Sequence, residues 1–300
     1  MKFLVTGARG FLGARVVAAL AAQPGDEVVG LYRPRAGGAG PGIACDLDDT
    51  PRLAGVLREL RPDAILHLAW FTAHGAYWSA PENLGCVATG LSLLRLAAEH
   101  GCRRFVGAGT CAEYDWQSAQ LIERATPCAP HTLYGAAKLG LFLVAERFAQ
   151  TTGMSLAWPR YGFLFGPDEA PGRLVTGAIR ALAAGADFAC STGTQVRDFL
   201  HVDEAAAATV AIARSAVTGP VNVGSGEAMP VRQIVETVAA LVGGPARPRF
   251  GALPGRPEDP AALILDLARL HGEVVWRPAR SVHAQLAATV ERVRGEARAS

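Results

Sequence analysis

The sequence predicts an α/β protein in which a doubly wound parallel sheet is joined to a smaller C-terminal α/β lobe. In the first half of the 300 residues, segments typical of strands alternate with segments typical of helices, as in a parallel sheet covered on both faces. Half of all residues are hydrophobic, so a large buried core is expected. The second half is less regular, because it is rich in proline and glycine around residues 166–172 and 243–260.

Each predicted element is a short segment of strand or helix pattern, and glycine or proline often ends it. Pro24 and Gly25 stop the first helix, and Gly101 closes the long third helix. The predicted strands are residues 2–6, 27–31, 64–69, 104–108 and 155–161. The predicted helices are residues 11–22, 50–60, 83–100, 134–150, 173–184, 203–215, 231–241 and 281–294.

The overall charge gives no reason to expect nucleic acid or an acidic membrane surface as a partner. The formal net charge is +2, from 29 basic and 27 acidic residues, so any anionic ligand needs a local site. No apolar run approaches the roughly 20 residues that cross a bilayer, and no export signal precedes the first strand, so we expect a cytoplasmic protein. The six cysteines are scattered and form no Cys-x-x-Cys pair, which predicts free thiols and no metal site.

The clearest motif is TGARGFLG, which follows the first predicted strand and opens the first predicted helix. Gly7 allows a tight turn, Gly10 lets the backbone approach a pyrophosphate, and Gly13 lets helix and strand pack closely. The amides at the start of the helix point toward the phosphates and suit an anion. The strand before the motif and the helix after it favour a Rossmann-type dinucleotide site over an ordinary glycine turn.

The residues after the second strand decide which dinucleotide is predicted. A site for NAD usually places a carboxylate there for the ribose 2′-hydroxyl, and the sequence LYRPR has none. Arg33 and Arg35, with Arg9 of the glycine loop, match a 2′-phosphate in charge and geometry, so we predict NADP. The alternative is a solvated basic loop, with NAD as the cofactor. Asp46 and Leu47 lie where a side chain can reach the adenine amino group. The predicted cofactor-binding residues are Gly7, Arg9, Gly10, Phe11, Leu12, Gly13, Arg33, Arg35, Asp46, Leu47, Leu68, Ala69, Tyr134 and Lys138.

Tyr134 and Lys138 are predicted to share one face at the start of a helix, because they are four residues apart. A phenol titrates near pH ~10, and a nearby ammonium lowers its pKa, so Tyr134 can exchange a proton with a carbonyl or alcohol oxygen. Such a pair alone is common and would indicate a surface pair. Thr110, at the end of the preceding strand, can hold the substrate oxygen, although a lone threonine there is more often a turn residue.

Several motifs occur in a characteristic order: TGARGFLG, HLA at 67–69, Thr110, Tyr134 with Lys138, and RDFLHVDE at 197–204. Together they resemble the extended short-chain dehydrogenase/reductases that modify nucleotide sugars. This family includes UDP-galactose 4-epimerase, dTDP-glucose 4,6-dehydratase, GDP-fucose synthase and nucleotide-hexose 4-ketoreductases. The resemblance extends through NVGSG at 222–226 and VVWRP at 274–278. It implies a nucleotide-diphosphate sugar as substrate, and a homodimer formed through the helices over 83–100 and 134–150.

The residues around Thr110 separate the reactions of this family. Dehydratases carry Asp-Glu directly after this threonine, whereas Cys111 and Ala112 stand here, so elimination of water is not expected. Ala112 and Arg173 occupy the places of the fucose-synthase cysteine and histidine, so 3,5-epimerisation is not expected. The resemblance leaves two reactions: reduction of a keto-deoxysugar at C4, with Tyr134 as proton donor, and 4-epimerisation with bound NAD. The prediction of NADP favours the reductase, and the epimerase is the alternative.

The resemblance also assigns residues to the sugar nucleotide. Arg197 in RDFLHVDE and Arg256 in GRPED match the arginines that hold the diphosphate in this family, and Arg173 is a weaker candidate. An ion pair of Arg197 with Asp198 or Asp203, and a solvated Arg256, are the alternatives. Aromatic residues after HLA can stack on a sugar or simply pack in the interior. The predicted substrate-binding residues are Trp70, His74, Thr110, Arg173, Arg197 and Arg256.

The predicted lobes interleave along the chain. Residues 1–158 and 195–224 form the dinucleotide-binding domain, and residues 159–194 and 225–300 form the substrate-binding lobe, with the ligand cleft between them. Phe163 and Cys86 stand where many relatives have asparagines, which leaves the sugar and the base open. A reductase of a non-sugar ketone is disfavoured by the arginine motifs. A dinucleotide-binding protein without catalysis is disfavoured by the intact triad.

Overall fold

The computed structural model describes residues 1–34, 42–170, 172–255 and 259–299. The strands are β1 (Lys2–Thr6), β2 (Glu27–Tyr32), β3 (Ile43–Ala44), β4 (Ala64–His67), β5 (Arg104–Gly107), β6 (Gly109–Thr110), β7 (Gln120–Leu121), β8 (Ser155–Tyr161), β9 (Phe163–Phe165), β10 (Phe188–Cys190), β11 (Val196–His201), β12 (Gly219–Val223), β13 (Ala228–Pro230), β14 (Pro248–Phe250) and β15 (Ala262–Leu265). The helices are α1 (Phe11–Ala21), α2 (Thr50–Leu60), α3 (Glu82–Glu99), α4 (Leu133–Thr152), α5 (Leu174–Ala183), α6 (Val202–Arg214), α7 (Val231–Val242), α8 (Ala268–Gly272) and α9 (Val282–Ala299). Every predicted strand and helix is present, with ends that differ by a few residues.

The central sheet is parallel, and its strands follow the order β3-β2-β1-β4-β5-β8-β12, with β6 paired to β8. The chain adds strands on one side of β1 up to β3 and then returns to add β4 on the other side. The switch point therefore lies between β1 and β4, where the loops after the two strands diverge and leave a crevice. This order confirms the doubly wound sheet and places the glycine loop, which follows β1, at the crevice.

Both faces of the central sheet are buried. Phe3 and Val5 of β1 pack into one apolar core with α1 and α6, and Leu4 packs into a second core with α2, α3 and α4. Successive side chains of a strand point to opposite faces, so a strand covered on both sides needs a continuous apolar run. This requirement explains the sequence KFLVT and the similar runs of β4 and β5.

A second sheet, ordered β13-β11-β15-β7 with β9 paired to β11, forms the core of the smaller lobe with α5, α7 and α9. Its strand β11 contains Arg197 and leads directly into α6, which packs on α1 of the central unit. The next strand, β12, then joins the central sheet beside β8. Residues 195–224 therefore contribute to both sheets, and the predicted domain boundaries stay a prediction.

The sequence makes predictions about the cysteines and about membrane-spanning helices. All six cysteines lie within the described residues and are free thiols, as predicted from their spacing. Among the helices of the described ranges, none has both the length and the apolar composition of a membrane-spanning segment.

Candidate active site

The loop between β1 and α1 has no space for a side chain at Gly7 or Gly13. Gly7 adopts a φ of +67°, and a Cβ atom there would lie 2.8 Å from the backbone nitrogen of Ala69 at the end of β4. A Cβ on Gly13 would lie 2.1 Å from the carbonyl oxygen of Gly7. Helix α1 is described along its whole length, and no side chain caps its start and no acidic residue lies in its first turn. The free amides and the bare loop fit the pyrophosphate of a dinucleotide.

We expect Gly13→Ala to weaken binding of the dinucleotide, NAD or NADP, by at least ~10-fold and to lower the free energy of unfolding by ~1–3 kcal/mol, because the new methyl group meets a backbone carbonyl that cannot move aside. Calorimetric titration with each dinucleotide and urea unfolding measure the two effects. Gly55→Ala in α2 is the matched control, since a Cβ there would meet only the Arg58 side chain, at 3.9 Å. Equal affinities in the two variants would show that the loop does not hold the cofactor.

Arg33, the basic residue after β2 that the structure describes, is already paired with carboxylates. Arg33 Nε lies 3.0 Å from Asp46 Oδ2, and Arg33 Nη2 lies 3.9 Å from Asp48 Oδ2. The guanidinium of Arg9 lies 3.3 Å from the centre of the Tyr32 ring. The residue predicted for a 2′-phosphate and the residue predicted for adenine thus bind each other, which weakens the electrostatic case for NADP. Arg35 lies outside the described residues.

Thr110, Tyr134 and Lys138 meet at the carboxyl ends of the central strands. The Thr110 side chain accepts a hydrogen bond from the amide of Ala112, 3.2 Å away, and lies close enough to the Tyr134 phenol to affect its pKa. Tyr134 is the second residue of α4, a helix whose N-cap Thr132 accepts from the amide of Gly135 over 3.1 Å. Lys138, one turn later, donates to the carbonyl oxygen of Ala108 over 2.7 Å. The triad residues are therefore brought together by the cap at Thr110, the cap at Thr132 and one turn of α4.

Burial controls the proton affinity of both ionisable triad residues. Burial raises the pKa of Tyr134 above its usual value, Tyr77 adds to this effect, and the nearby Thr110 side chain opposes it. Burial also lowers the pKa of Lys138 to about 7, against the attraction of Glu113 and Cys86 for the ammonium. The expectation that the pKa of Tyr134 falls below its usual value is wrong for this arrangement, because burial outweighs the charge of Lys138, whose ammonium lies 6.0 Å from the centre of the phenol ring. Tyr134 is accordingly a neutral phenol near neutral pH.

A buried ion pair, which was not predicted from the sequence, lies beneath Thr110. Glu113, which is fully buried, accepts from the amide of Thr110 at 2.9 Å, from Trp158 Nε1 at 3.0 Å and from Arg160 Nε at 2.7 Å. The carboxylate therefore fixes the turn that carries Thr110. A Cβ on Gly135 would lie 2.3 Å from the carbonyl oxygen of Ala112, so α4 rests directly on the same turn. The only sign of this ion pair in the sequence is a single glutamate within the apolar run after β5.

Aromatic rings surround Tyr134 on the side of the loop after β4. The centre of the Tyr134 ring lies 6.3 Å from that of Trp70, 5.1 Å from that of Tyr77 and 5.8 Å from that of Trp78, each in an edge-to-face arrangement. The buried side chain of Asn83 in α3 links this loop to the helix, since its amide donates to the carbonyl oxygen of Tyr77 at 2.8 Å. Asn83 was also not predicted as a site residue, and its signal was a polar residue at the start of a helix that faces the core.

The arginines proposed for the diphosphate have different surroundings. Arg197 is buried and donates to Asp259 Oδ1 at 2.6 Å, so its ion-pair partner is neither Asp198 nor Asp203, as the alternative had suggested. Arg173 lies in the smaller lobe, with its guanidinium 5.4 Å from the centre of the Tyr77 ring. Because the Tyr77 ring packs against Tyr134, one side chain separates Arg173 from Tyr134. Arg256 lies outside the described residues.

The remaining predicted residues lie at the edges of the site. His74 is exposed and packs against the loop after β9, where a Cβ on Gly172 would lie 3.1 Å from its ring. Leu68 and Ala69 follow β4 beside the glycine loop, and Leu12 and Leu47 pack against the two central cores. Phe11, at the start of α1, lies beside Gly166 of the smaller lobe.

The two cysteines near the triad are not placed to act as bases. Burial raises the pKa of Cys111 to about 12, so its thiol stays protonated at neutral pH. The sulfur of Cys86 accepts a hydrogen bond from the amide of Phe71 over 3.4 Å, and burial raises its pKa also. Tyr134 is therefore the candidate for proton transfer beside Thr110, and the expected absence of water elimination and 3,5-epimerisation stays a prediction.

Comparisons with known proteins agree with this site. The model of the family described as "NAD dependent epimerase/dehydratase family" matches residues 3–224. A UDP-glucose 4-epimerase of Streptomyces lividans is 30% identical over 307 residues, covering 93% of this chain and 92% of the relative. The crystal structure of the UDP-glucose 4-epimerase of Thermus thermophilus in complex with NAD has a TM-score of 0.86 at 26% identity, over 98% of this chain and 99% of that chain. MoeE5 in complex with UDP-glucose and NAD has a TM-score of 0.84 at 26% identity, over 99% and 100% of the two chains.

Proposed function

Because this chain belongs to the NAD-dependent epimerase/dehydratase family, within the extended short-chain dehydrogenase/reductases, we propose that it is an NAD-dependent 4-epimerase of a nucleotide-diphosphate hexose. The family and the fold predicted from the sequence are thereby confirmed. The relatives favour the epimerase, which was the alternative in the sequence predictions, over the keto-deoxysugar reductase that was preferred there. They also contain NAD, and none of those compared above supports NADP.

The closeness of the Thr110 and Tyr134 side chains, beside the crevice where the glycine loop lies, is the observation that carries the proposal. Two neighbouring hydroxyl groups can both hydrogen bond to one sugar oxygen. Epimerisation at C4 needs one such pair, because the same sugar oxygen loses and regains a proton. It needs no second acid and base, and this agrees with the protonated thiol of Cys111 and the apolar Ala112.

In this mechanism, the phenolate form of Tyr134 takes the proton from the C4 hydroxyl as the alcohol is oxidised, and the phenol so formed returns it to the keto oxygen when the sugar is reduced on the other face. NAD, when bound, supplies the hydride acceptor of the first half-reaction and the donor of the second. Thr110 hydrogen bonds to the reacting oxygen in both halves. The positive charge of Lys138 favours the phenolate form of Tyr134 against the effect of burial. Arg197 and Arg173 are the described candidates for the diphosphate and His74 for the sugar, whereas the Trp70 ring predicted for the sugar lies over the ammonium of Lys138.

The reductase remains a second candidate because of one feature, the absence of a carboxylate at the end of β2. Arg33 stands there instead and is exposed, so a 2′-phosphate that binds it would displace Asp46 and Asp48. In epimerases of the type proposed, the dinucleotide stays bound through turnover. Dinucleotide released by acid denaturation of the purified protein should therefore be NAD, identified by enzymatic cycling assays for NAD and NADP.

We expect the purified protein to interconvert one pair of 4-epimeric UDP-hexoses without net change in NADH. UDP-glucose, UDP-galactose and UDP-glucuronate would be tested alongside a dTDP-4-keto-6-deoxyhexose with NADPH, and products would be separated by anion-exchange chromatography. Net oxidation of NADPH by the keto-sugar would establish the reductase instead. If no sugar in the panel reacts while bound NAD is present, both proposals on substrate class fail together.

Two further features of the assembly belong to this proposal. Residues 1–158 and 195–224 would bind the dinucleotide, and residues 159–194 and 225–300 would cover the sugar nucleotide. A homodimer through α3 and α4 is supported by exposed apolar side chains on these helices, namely Leu84, Leu143 and Val144. Sedimentation equilibrium of the protein and of a Leu143→Glu variant would test the dimer.

A further inference from the structure

The ammonium of Lys138 is enclosed by a backbone carbonyl and an indole face. Its Nζ donates to the Ala108 carbonyl oxygen at 2.7 Å and lies 3.6 Å from the centre of the Trp70 ring. The side chain of Lys138 is buried, so little water can compete for the ammonium. A cation within about 6 Å of an indole face is attracted by the ring electrons, and most strongly where water is excluded.

The indole of Trp70 is itself held in place. Its Nε1 donates to Asn83 Oδ1 at 2.8 Å, and Asn83 is completely buried. The amide nitrogen of Asn83 donates to the carbonyl oxygens of Tyr77 and Ala80, each at 2.8 Å, so both of its donor hydrogens have acceptors. Rotation of the indole would break a buried hydrogen bond and leave an unsatisfied group, which is costly. The ring therefore has one favoured orientation over Lys138.

The other ionisable groups that face Lys138 do not replace this contact. His67 of β4 stays neutral, because burial and the charge of Lys138 lower its pKa to about 3. Cys86 of α3 stays neutral, because burial raises its pKa. Glu113, beside β6, carries a charge that favours the ammonium, but its oxygens already accept from Thr110, Trp158 and Arg160. Tyr134, on the same helix, is a neutral phenol.

We propose that Trp70, fixed by Asn83, is a positioning residue that holds the ammonium of Lys138 over one face of the indole and keeps water from it. The proposal rests on the proposed function only in giving Lys138 a part in the reaction. The placement of the ammonium does not depend on which sugar reacts, so it can be tested without a substrate.

The sequence makes a direct test possible, since its only lysines are Lys2 and Lys138. Protein labelled with 13C,15N-lysine gives two side-chain signals, and Lys2, which pairs with Glu27 at the surface, is the internal reference. We expect the Lys138 signal of the parent protein to titrate near 7. Trp70→Leu should raise that midpoint by at least about one unit, because water that enters where the indole was stabilises the ammonium more than the lost ring face did. Trp70→Phe keeps a ring face and should stay close to the parent.

Turnover of the sugar identified above gives the second measurement. Trp70→Leu should lower kcat about tenfold with KM for the sugar changed less than about twofold, and Trp70→Phe should recover most of the loss. Trp276→Leu, in a partly buried tryptophan that packs against the core away from the triad, is the matched control and should change neither value.

The outcomes separate this inference from the proposed function. A Lys138 midpoint and a kcat that stay unchanged in Trp70→Leu would overturn the positioning role even if the enzyme is an epimerase. A midpoint that rises in a protein inactive on every sugar would support the positioning role and remove the proposed reaction. If Trp70→Phe and Trp70→Leu lower kcat equally and leave the Lys138 midpoint unchanged, Trp70 acts through packing alone. That result would also overturn the positioning role.

Discussion

Tyr134→Phe is expected to lower kcat by about 10²- to 10⁴-fold, the range that one positioned proton-transfer group contributes. The fold should be kept, because the ring still packs edge-on against Trp70, Tyr77 and Trp78 and only the hydroxyl beside Thr110 is lost. The measurements are kcat at saturating nucleotide sugar, the NAD content of the purified protein and the thermal midpoint. NAD content and thermal midpoint should match those of the parent.

Tyr161→Phe is the matched control for this variant. It also removes a buried tyrosine hydroxyl. Tyr161 is the strand partner of Thr110, but its hydroxyl forms a hydrogen bond of 2.7 Å with Thr209 on α6. We expect it to cost about 1 kcal/mol of stability and to leave kcat within twofold of the parent. If Tyr134→Phe and Tyr161→Phe have similar kcat values, Tyr134 does not transfer the proton.

Glu113→Gln is expected to lower the free energy of unfolding by about 3–5 kcal/mol, which is a large share of the stability of a typical domain. Glutamine can still accept from the amide of Thr110 and from Trp158 Nε1, but it leaves the guanidinium of Arg160 buried without its counter-charge. The double variant Glu113→Gln/Arg160→Met removes that charge and should recover much of the loss. Urea unfolding, monitored by far-UV circular dichroism, measures both.

Glu99→Gln is the control for the loss of a carboxylate. Glu99 pairs with Arg95 on the surface of α3, where both side chains are about half exposed, and its loss should cost less than about 1 kcal/mol. Equal urea midpoints for Glu113→Gln and Glu99→Gln would show that the buried pair contributes no more than a solvated one, contrary to the expectation.

The fold and the triad could be predicted because their signals are local. Strands buried on both faces need continuous apolar runs, and the glycine loop needs small residues at fixed spacing, so KFLVT and TGARGFLG are readable without a structure. Tyr134 and Lys138 are one helical turn apart, and that spacing alone puts them on one face. The short strands β3, β6 and β7 were not predicted, because two residues carry no periodic pattern.

The rest of the site depends on contacts between distant residues, which spacing does not show. The partner of Arg197 is Asp259, 62 positions away along the chain, and the partners of Glu113 lie on β6 and β8. The preference for NADP, which the relatives do not support, had the same basis. Arg33 was judged by its own charge, whereas the structure surrounds it with Asp46 and Asp48. The pKa of Tyr134 likewise depends on how deeply the phenol is buried, and the sequence contains no measure of that depth.

The contact of Gly135 with the carbonyl of Ala112 has a consequence for how this protein could evolve. The hydroxyls of Thr110 and Tyr134 belong to backbone segments locked together by helix caps and by that contact, so the chemical step is preorganised and needs little reorganisation. The loops that touch across the mouth of the crevice, through His74 with Gly172 and Arg173 with Tyr77, are not part of that locked unit. Mutations in these loops can therefore change the preferred sugar while the proton-transfer geometry is inherited intact.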